Sequence, residues 1–135
     1  MASLKEAVYS ILSTDAQNAG AGQLGALLGK TGTAPYGVYH SFPPENTTPP
    51  YITYSVISGV GYKPRRILMG FTVWAAGAWV DILDRIEALL HEQTFTADDY
   101  DMLKCFWEGL GPELYDADLK CYYQQARYEF IVWEQ

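Results

Sequence analysis

The chain has 135 residues, 49% of them hydrophobic and 15% aromatic, with nine basic against sixteen acidic side chains for a formal charge of −7. That length suits one domain over residues 1–135 with a real hydrophobic core, and the acidic balance argues against a protein that grips nucleic acid through its phosphates. Charged residues make up only 19%, below the ordinary share of about 25%, while eleven Tyr and four Trp suit a surface made for protein contacts as well as an aromatic core.

The first residues, Met1-Ala2-Ser3-Leu4-Lys5-Glu6, contain no apolar signal core, and no run approaches the ~18 apolar residues of a membrane span. The expectation is a soluble protein made inside the cell, with no membrane partner. Cys105 and Cys121 are too few for a zinc site and too sparse for a secreted disulfide framework. They read as reduced cysteines on two strands.

In chain order, Ser3 and Glu6 have capping-box spacing, and Leu4, Val8, Ile11 and Leu12 then share one face of a short amphipathic N-terminal helix. Leu24, Leu27 and Leu28 predict a second short helix that Gly29 can end in a left-handed cap. Tyr36 to His40 is a short strand, followed by an extended loop through the proline pairs Pro43-Pro44 and Pro49-Pro50, which cannot donate to a ladder. Tyr51 to Ile57 alternates as a strand, and Ser58 to Pro64 supplies a flexible connection of hairpin type.

From Arg66 to Ala75, Ile67, Met69, Phe71 and Val73 face one way and Leu68, Gly70, Thr72 and Trp74 the other. A strand apolar on both faces is central in its sheet or meets another subunit. Trp79, Ile82, Leu83, Ile86, Leu89 and Leu90 mark the clearest helix. Leu103 to Trp107 and Lys120 to Glu134 are the last strands, separated by a loop with Gly109, Gly111 and Pro112. The predicted fold class is α+β: a mainly antiparallel sheet of about four to five strands, covered by one long helix, with a short N-terminal helical segment.

Two near-motifs lack their context. Gly20-Ala21-Gly22-Gln23-Leu24-Gly25 matches the dinucleotide pattern, and Gly29-Lys30-Thr31 ends a sequence close to a phosphate loop, but neither follows the strand that such loops require. A C-cap glycine followed by a solvated lysine accounts for Gly29-Lys30. The acidic clusters Asp98, Asp99, Asp101 and Asp116, Asp118 lack calcium-loop spacing and read as solvated turns. His91, in the last turn of the main helix, suits the helix dipole as a partly charged imidazole, and no nucleophilic triad stands out around it or His40. The residues single out no catalytic, metal or cofactor site and lend an enzyme no support.

The layout as a whole resembles the tail-completion, or tail-terminator, proteins of long-tailed bacteriophages and related tail-like particles. The residues that carry the resemblance are the helix Leu4 to Leu12 and the Ala/Leu-rich stretch to Gly29, Pro49-Pro50-Tyr51-Ile52-Thr53-Tyr54 entering a strand, Phe71-Thr72-Val73-Trp74-Ala75 leading into the main helix, and Tyr128-Glu129-Phe130-Ile131-Val132-Trp133 closing the chain. Two segments, Phe95 to Asp101 and Gly109 to Leu119, are longer than that pattern. The resemblance implies a non-enzymatic structural virion protein with no cofactor, made in the bacterial host cytoplasm, that forms a ring of its own copies, usually a hexamer. The ring caps the tail tube, ends its polymerisation and joins it to the head-tail connector or stopper protein, while genomic DNA passes through the lumen without specific binding. A head-completion or connector-stopper protein of the neck is the alternative, and a small cytoplasmic ligand-binding domain a more distant one. Within that reading the Gly59 to Arg66 tip offers Tyr62, Lys63, Arg65 and Arg66 for docking to tube or connector, with the Pro43 to Pro50 loop second. Trp74, Tyr123 and Trp133 are candidate subunit-interface residues.

Overall fold

Residues 2–61, 64–97 and 100–134 are described by the structure, a computed structural model. Among them the chain forms three helices, α1 (Ala2–Ala16), α2 (Leu24–Leu28) and α3 (Trp79–Leu90), and seven strands: β1 (Val38–His40), β2 (Tyr51–Gly61), β3 (Arg65–Ala75), β4 (Thr94–Ala97), β5 (Tyr100–Leu110), β6 (Leu114–Asp116) and β7 (Cys121–Glu134). They build one sheet in the order β1-β2-β3-β7-β5-β4, with β6 pairing with β7 beyond the end of β5. Only the β1–β2 pair is parallel.

The doubly apolar β3 lies in the interior of the sheet, between β2 and β7. Its Ile67, Met69, Phe71 and Val73 are fully buried, and so are Tyr128, Phe130 and Val132 on the same face of β7. α1 and α3 cover that face, and α2 packs against both of them. From α1 come Leu4, Val8, Leu12 and Ala16, spaced four apart so that they stack along one side, and from α3 come Ile82, Leu83, Ile86 and Leu90. Phe71 is central, edge-on to Tyr128 at 5.5 Å and 6.1 Å from Tyr54; burying such a ring is worth roughly 1.5–3 kcal/mol.

Several expectations are corrected here. The sheet has seven strands rather than four to five, because parts of Phe95 to Asp101 and Gly109 to Leu119 pair as β4 and β6. Their pairing comes from β5 and β7, which are long enough to template a neighbour; with four and three residues, β4 and β6 are too short to show a strand pattern of their own. The cover is not one long helix with a short N-terminal segment: α1, with 15 residues, is longer than α3, with 12. α1 starts at Ala2, and the Ser3 side chain expected to cap it lies outside the described residues. β2 continues through Ser58 to Gly61 by way of a bulge between Val56 and Ser58, so most of the expected flexible connection is strand.

α2 begins where Asp15, at the end of α1, accepts the Leu24 N–H at 2.8 Å. Gly29 ends it at φ 68°, the left-handed cap its sequence predicts. Gly25 allows the helix to lie against the preceding loop: a Cβ there would sit 2.0 Å from the Asn18 carbonyl oxygen.

Candidate assembly surface

Alternation along the strands sends every second side chain away from the helices. On this open face the register aligns Tyr51, Trp74 and Tyr123, then Thr53, Thr72 and Gln125, then Ser55, Gly70 and Arg127, with Leu68 beside Glu129 and Arg66 beside Ile131 farther along. Phe106 and Lys104 of β5 continue it opposite Glu129 and Ile131. The charges at these paired positions are Arg66, Arg127 and Lys104 against Glu129. Asp81, Asp84 and Glu87 instead lie exposed on α3, over the opposite face. The short β6 adds Asp116 to the same face, opposite Cys121, so this face of a chain of net charge −7 mixes Arg66, Arg127 and Lys104 with Glu129 and Asp116.

All three expected interface residues belong to this face. Trp74 and Tyr123 stack at 4.4 Å and 17°, Tyr51 lies 5.8 Å from Trp74 on its other side, and the Trp74 indole N–H donates to Thr53 Oγ1 at 3.1 Å. Trp74 is therefore held within its own subunit's aromatic row and presents only part of its ring. Trp133 sits ten residues from Tyr123 on the same strand, about 34 Å away at the ordinary rise per residue, and is 44% exposed. The two Phe-x-Val-Trp stretches lie on adjacent antiparallel strands, with Phe71 opposite Ala126 and Phe130 opposite Ile67. Antiparallel pairing sends their tryptophans to opposite ends of the face.

The expected docking tip divides. Tyr62 and Lys63 lie outside the described residues. Arg65 and Arg66 point to opposite faces of β3, as successive strand residues must: the Arg65 Nε donates to the Gly61 carbonyl at 3.3 Å, whereas exposed Arg66 lies 3.6 Å from Glu129. These two arginines do not make a single cationic patch.

Between β5 and β6 the ladder on β7 breaks, and Gly111 bridges the break: its N–H donates to Gln125 O at 2.8 Å and its carbonyl accepts from Gln124 Nε2 at 2.9 Å. The break leaves a groove of ≈ 280 Å³ on the open face, lined by Trp74, Tyr123, Pro112 and Leu114 together with the polar Thr72, Gln125 and Arg127. Sequence reading missed this groove, because Pro112 and Leu114 join it only through the short pairing of β6. Leu110, Leu114, Tyr115, Leu119 and Tyr122, on and beside β6, are exposed, and Tyr122 stacks on Trp79 at 4.7 Å.

The near-motifs resolve into structure. The Lys30 ammonium donates to the carbonyls of Thr48 and Pro50, the latter at 2.8 Å, and lies 5.4 Å from the Tyr51 ring centre. It pins the proline loop instead of standing solvated, and burial lowers its pKa. His91 stands just past the last turn of α3, where its Nδ1 accepts the Trp107 N–H at 2.9 Å and its Nε2 lies 3.8 Å from the Glu92 carboxylate. Asp116 Oδ1 accepts the N–H groups of Asp118 and Leu119, forming a turn; Asp98 and Asp99 lie outside the described residues, as does the side chain of Asp101. Cys105 and Cys121 are free and buried, opposite Phe130 and Asp116 respectively. Among the described residues, no group of three or more His, Cys, Asp or Glu could hold a metal ion, and no helix is long and apolar enough to cross a membrane.

The class defined by this arrangement is an α+β protein with helices on one face of a mainly antiparallel sheet and the other face uncovered. A solved chain from the virion of a native gene transfer agent particle is similar in fold, with a TM-score of 0.56 and 10% identity over 72% of this chain and 78% of that one. Neither a family model nor a curated protein sequence matches the chain.

Proposed function

We propose that the chain is a non-enzymatic structural component of a phage-like particle, assembling with copies of itself into a ring, of hexameric size, that caps a tail tube and joins it to the head-tail connector. The observation that carries this reading is the fold shared with a chain of a gene transfer agent virion. The uncovered sheet face adds physical support. Rings need heterologous contacts, one patch meeting a different patch on the neighbour, and this face offers aromatic and cationic groups while α3 offers exposed Asp81, Asp84 and Glu87.

The test combines purified protein with tail tubes and with connectors from the same particle, followed by negative-stain imaging and length measurement. Capped tube ends with arrested growth are expected. Binding to connectors alone would move the assignment to a neck stopper, and indifference to both would overturn the proposal.

A further inference from the structure

Phe42 is the most exposed large hydrophobic residue among those described, with 85% of its surface in solvent. The backbone holds it there. Ser41, at φ 66°, donates its N–H to Tyr54 O at 2.9 Å, and the Phe42 N–H returns to His40 O at 2.8 Å. The following residues are equally anchored, since Thr47 donates to Pro44 O through both its N–H, at 3.2 Å, and its hydroxyl, at 2.6 Å. The result is a preorganised arm, Phe42-Pro43-Pro44-Glu45, projecting a phenyl ring and an exposed carboxylate from the β1 end of the sheet. Preorganisation of this kind removes much of the ordering cost of docking.

The groove on the open face has the complementary chemistry. Trp74, Tyr123, Pro112 and Leu114 wall it, and aromatic-lined grooves are the usual receptors of proline-containing extended segments. Its ≈ 280 Å³ exceeds the ~150 Å³ of an apolar cavity that holds a benzene, leaving room for a phenyl ring and part of a proline. At its margin, Arg127 gives its Nε–H to Gln125 Oε1 at 3.1 Å, and among the described residues no carboxylate pairs with it. The distances agree as well. Four residues of β7 place Arg127 about 13 Å from Tyr123, and the three steps from Phe42 to Glu45 span at most about 10 Å, a shortfall that the Glu and Arg side chains can cover.

We infer that the Phe42–Glu45 arm of one copy seats in this groove on the next copy, with the Phe42 ring against Trp74, Tyr123 and Leu114 and the Glu45 carboxylate on Arg127. The arm and the groove are different patches of one molecule, so the contact is heterologous and propagates around a ring. The inference rests on the self-assembly part of the proposed function and not on where the ring sits in a particle.

The test mixes Phe42→Cys protein with Leu114→Cys protein under mild oxidation and separates products by mass. Cys105 and Cys121 are buried and stay out of the reaction. The mixed disulfide should exceed both like-with-like products by about tenfold, the preference expected from one well-formed contact. Adding Glu45→Arg to the Phe42→Cys protein should cut its yield by about tenfold, and adding Arg127→Glu to the partner should restore it, a rescue that reads the charge pair itself. Statistical product ratios, or loss without rescue, would overturn the inference. Selective cross-linking in a protein that ignores tail tubes and connectors would refute the particle role and leave this contact standing.

Discussion

Asp15 at the end of α1 and Arg85 in the middle of α3, seventy residues apart, are joined by two hydrogen bonds, Arg85 Nε to Oδ2 at 2.9 Å and Nη2 to Oδ1 at 2.6 Å. The same carboxylate accepts the first N–H of α2 at 2.8 Å. One side chain thus fixes all three helices relative to one another.

Removing it should be costly. The Asp15 side chain is only 6% exposed and that of Arg85 30%, so Asp15→Ala leaves a half-shielded guanidinium and an orphaned Leu24 N–H. Breaking a buried pair costs about 3–5 kcal/mol; partial solvation of Arg85 places the expected loss near about 3. Urea denaturation at pH 7 measures it, and a loss below ~1 kcal/mol would show the pair to be ornamental.

The same pair predicts acid sensitivity. Burial pushes the Asp15 carboxyl up, but the Arg85 hydrogen bonds, the Leu24 N–H and the Arg85 charge together outweigh it and hold the group below its ordinary 3.8. A carboxyl with a depressed folded pKa stabilises fully above its unfolded value, and that contribution disappears as pH falls through the folded value. Stability of the wild type should therefore fall more steeply below about pH 4 than that of Asp15→Asn, which has nothing to titrate there. Parallel curves from pH 5 to 2 would refute this.

Two glycines should respond in opposite ways to alanine. At Gly25 the new Cβ meets Asn18 O at 2.0 Å and Ala16 O at 2.9 Å, both backbone atoms that cannot rotate aside, and a cost of about 1–3 kcal/mol is expected for such overpacking. At Gly32 nothing lies within 4 Å, so Gly32→Ala should be neutral or stabilising by up to about 1 kcal/mol through the unfolded state. Thermal melts of the two variants check the contrast.

The tryptophans should separate folding from assembly. Trp74→Ala breaks a stack with Tyr123 and a hydrogen bond to Thr53 and should cost about 3 kcal/mol. Trp133→Ala removes a side chain already 44% exposed and should cost about 1 kcal/mol or less. Its effect is expected in particle association, read by sedimentation or cross-linking; association unchanged by Trp133→Ala would remove it from the interface.

Both thiols should be silent in the folded protein. Burial pushes up the pKa of Cys105, and burial followed by the Asp116 charge does the same for Cys121, so thiolate is scarce and inaccessible. Labelling at pH 8 should run about a hundredfold slower than in urea and follow unfolding. Rapid native labelling of either residue would contradict this burial.

The strong patterns were legible because they repeat within one segment. The alternation of Arg66 to Ala75 announced a central strand, and the helical spacing of Trp79 to Leu90 announced α3, whose bounds match. Gly29 marked a left-handed cap for the steric reason that only glycine occupies that conformation freely. β4 and β6 left no such trace: their hydrogen-bond partners are on β5 and β7, and a strand of three or four residues is defined by the edge it joins. Asp15, Lys30 and His91 were similarly opaque, since each acts on a backbone or side-chain group at least nine residues away in the chain.

The same division governs the assembly surface. Sequence alone nominated Trp74, Tyr123 and Trp133 for an interface and showed a chain rich in aromatic residues, 15%, and low in charged ones, 19%. Tertiary structure decided the register, which placed the three on one uncovered face, sent Arg65 and Arg66 to opposite sides and opened a groove at the β5–β6 break. The physical reason is that periodicity fixes which side of its own strand a residue occupies, whereas the long-range hydrogen-bond pairing of strands fixes what lies beside it.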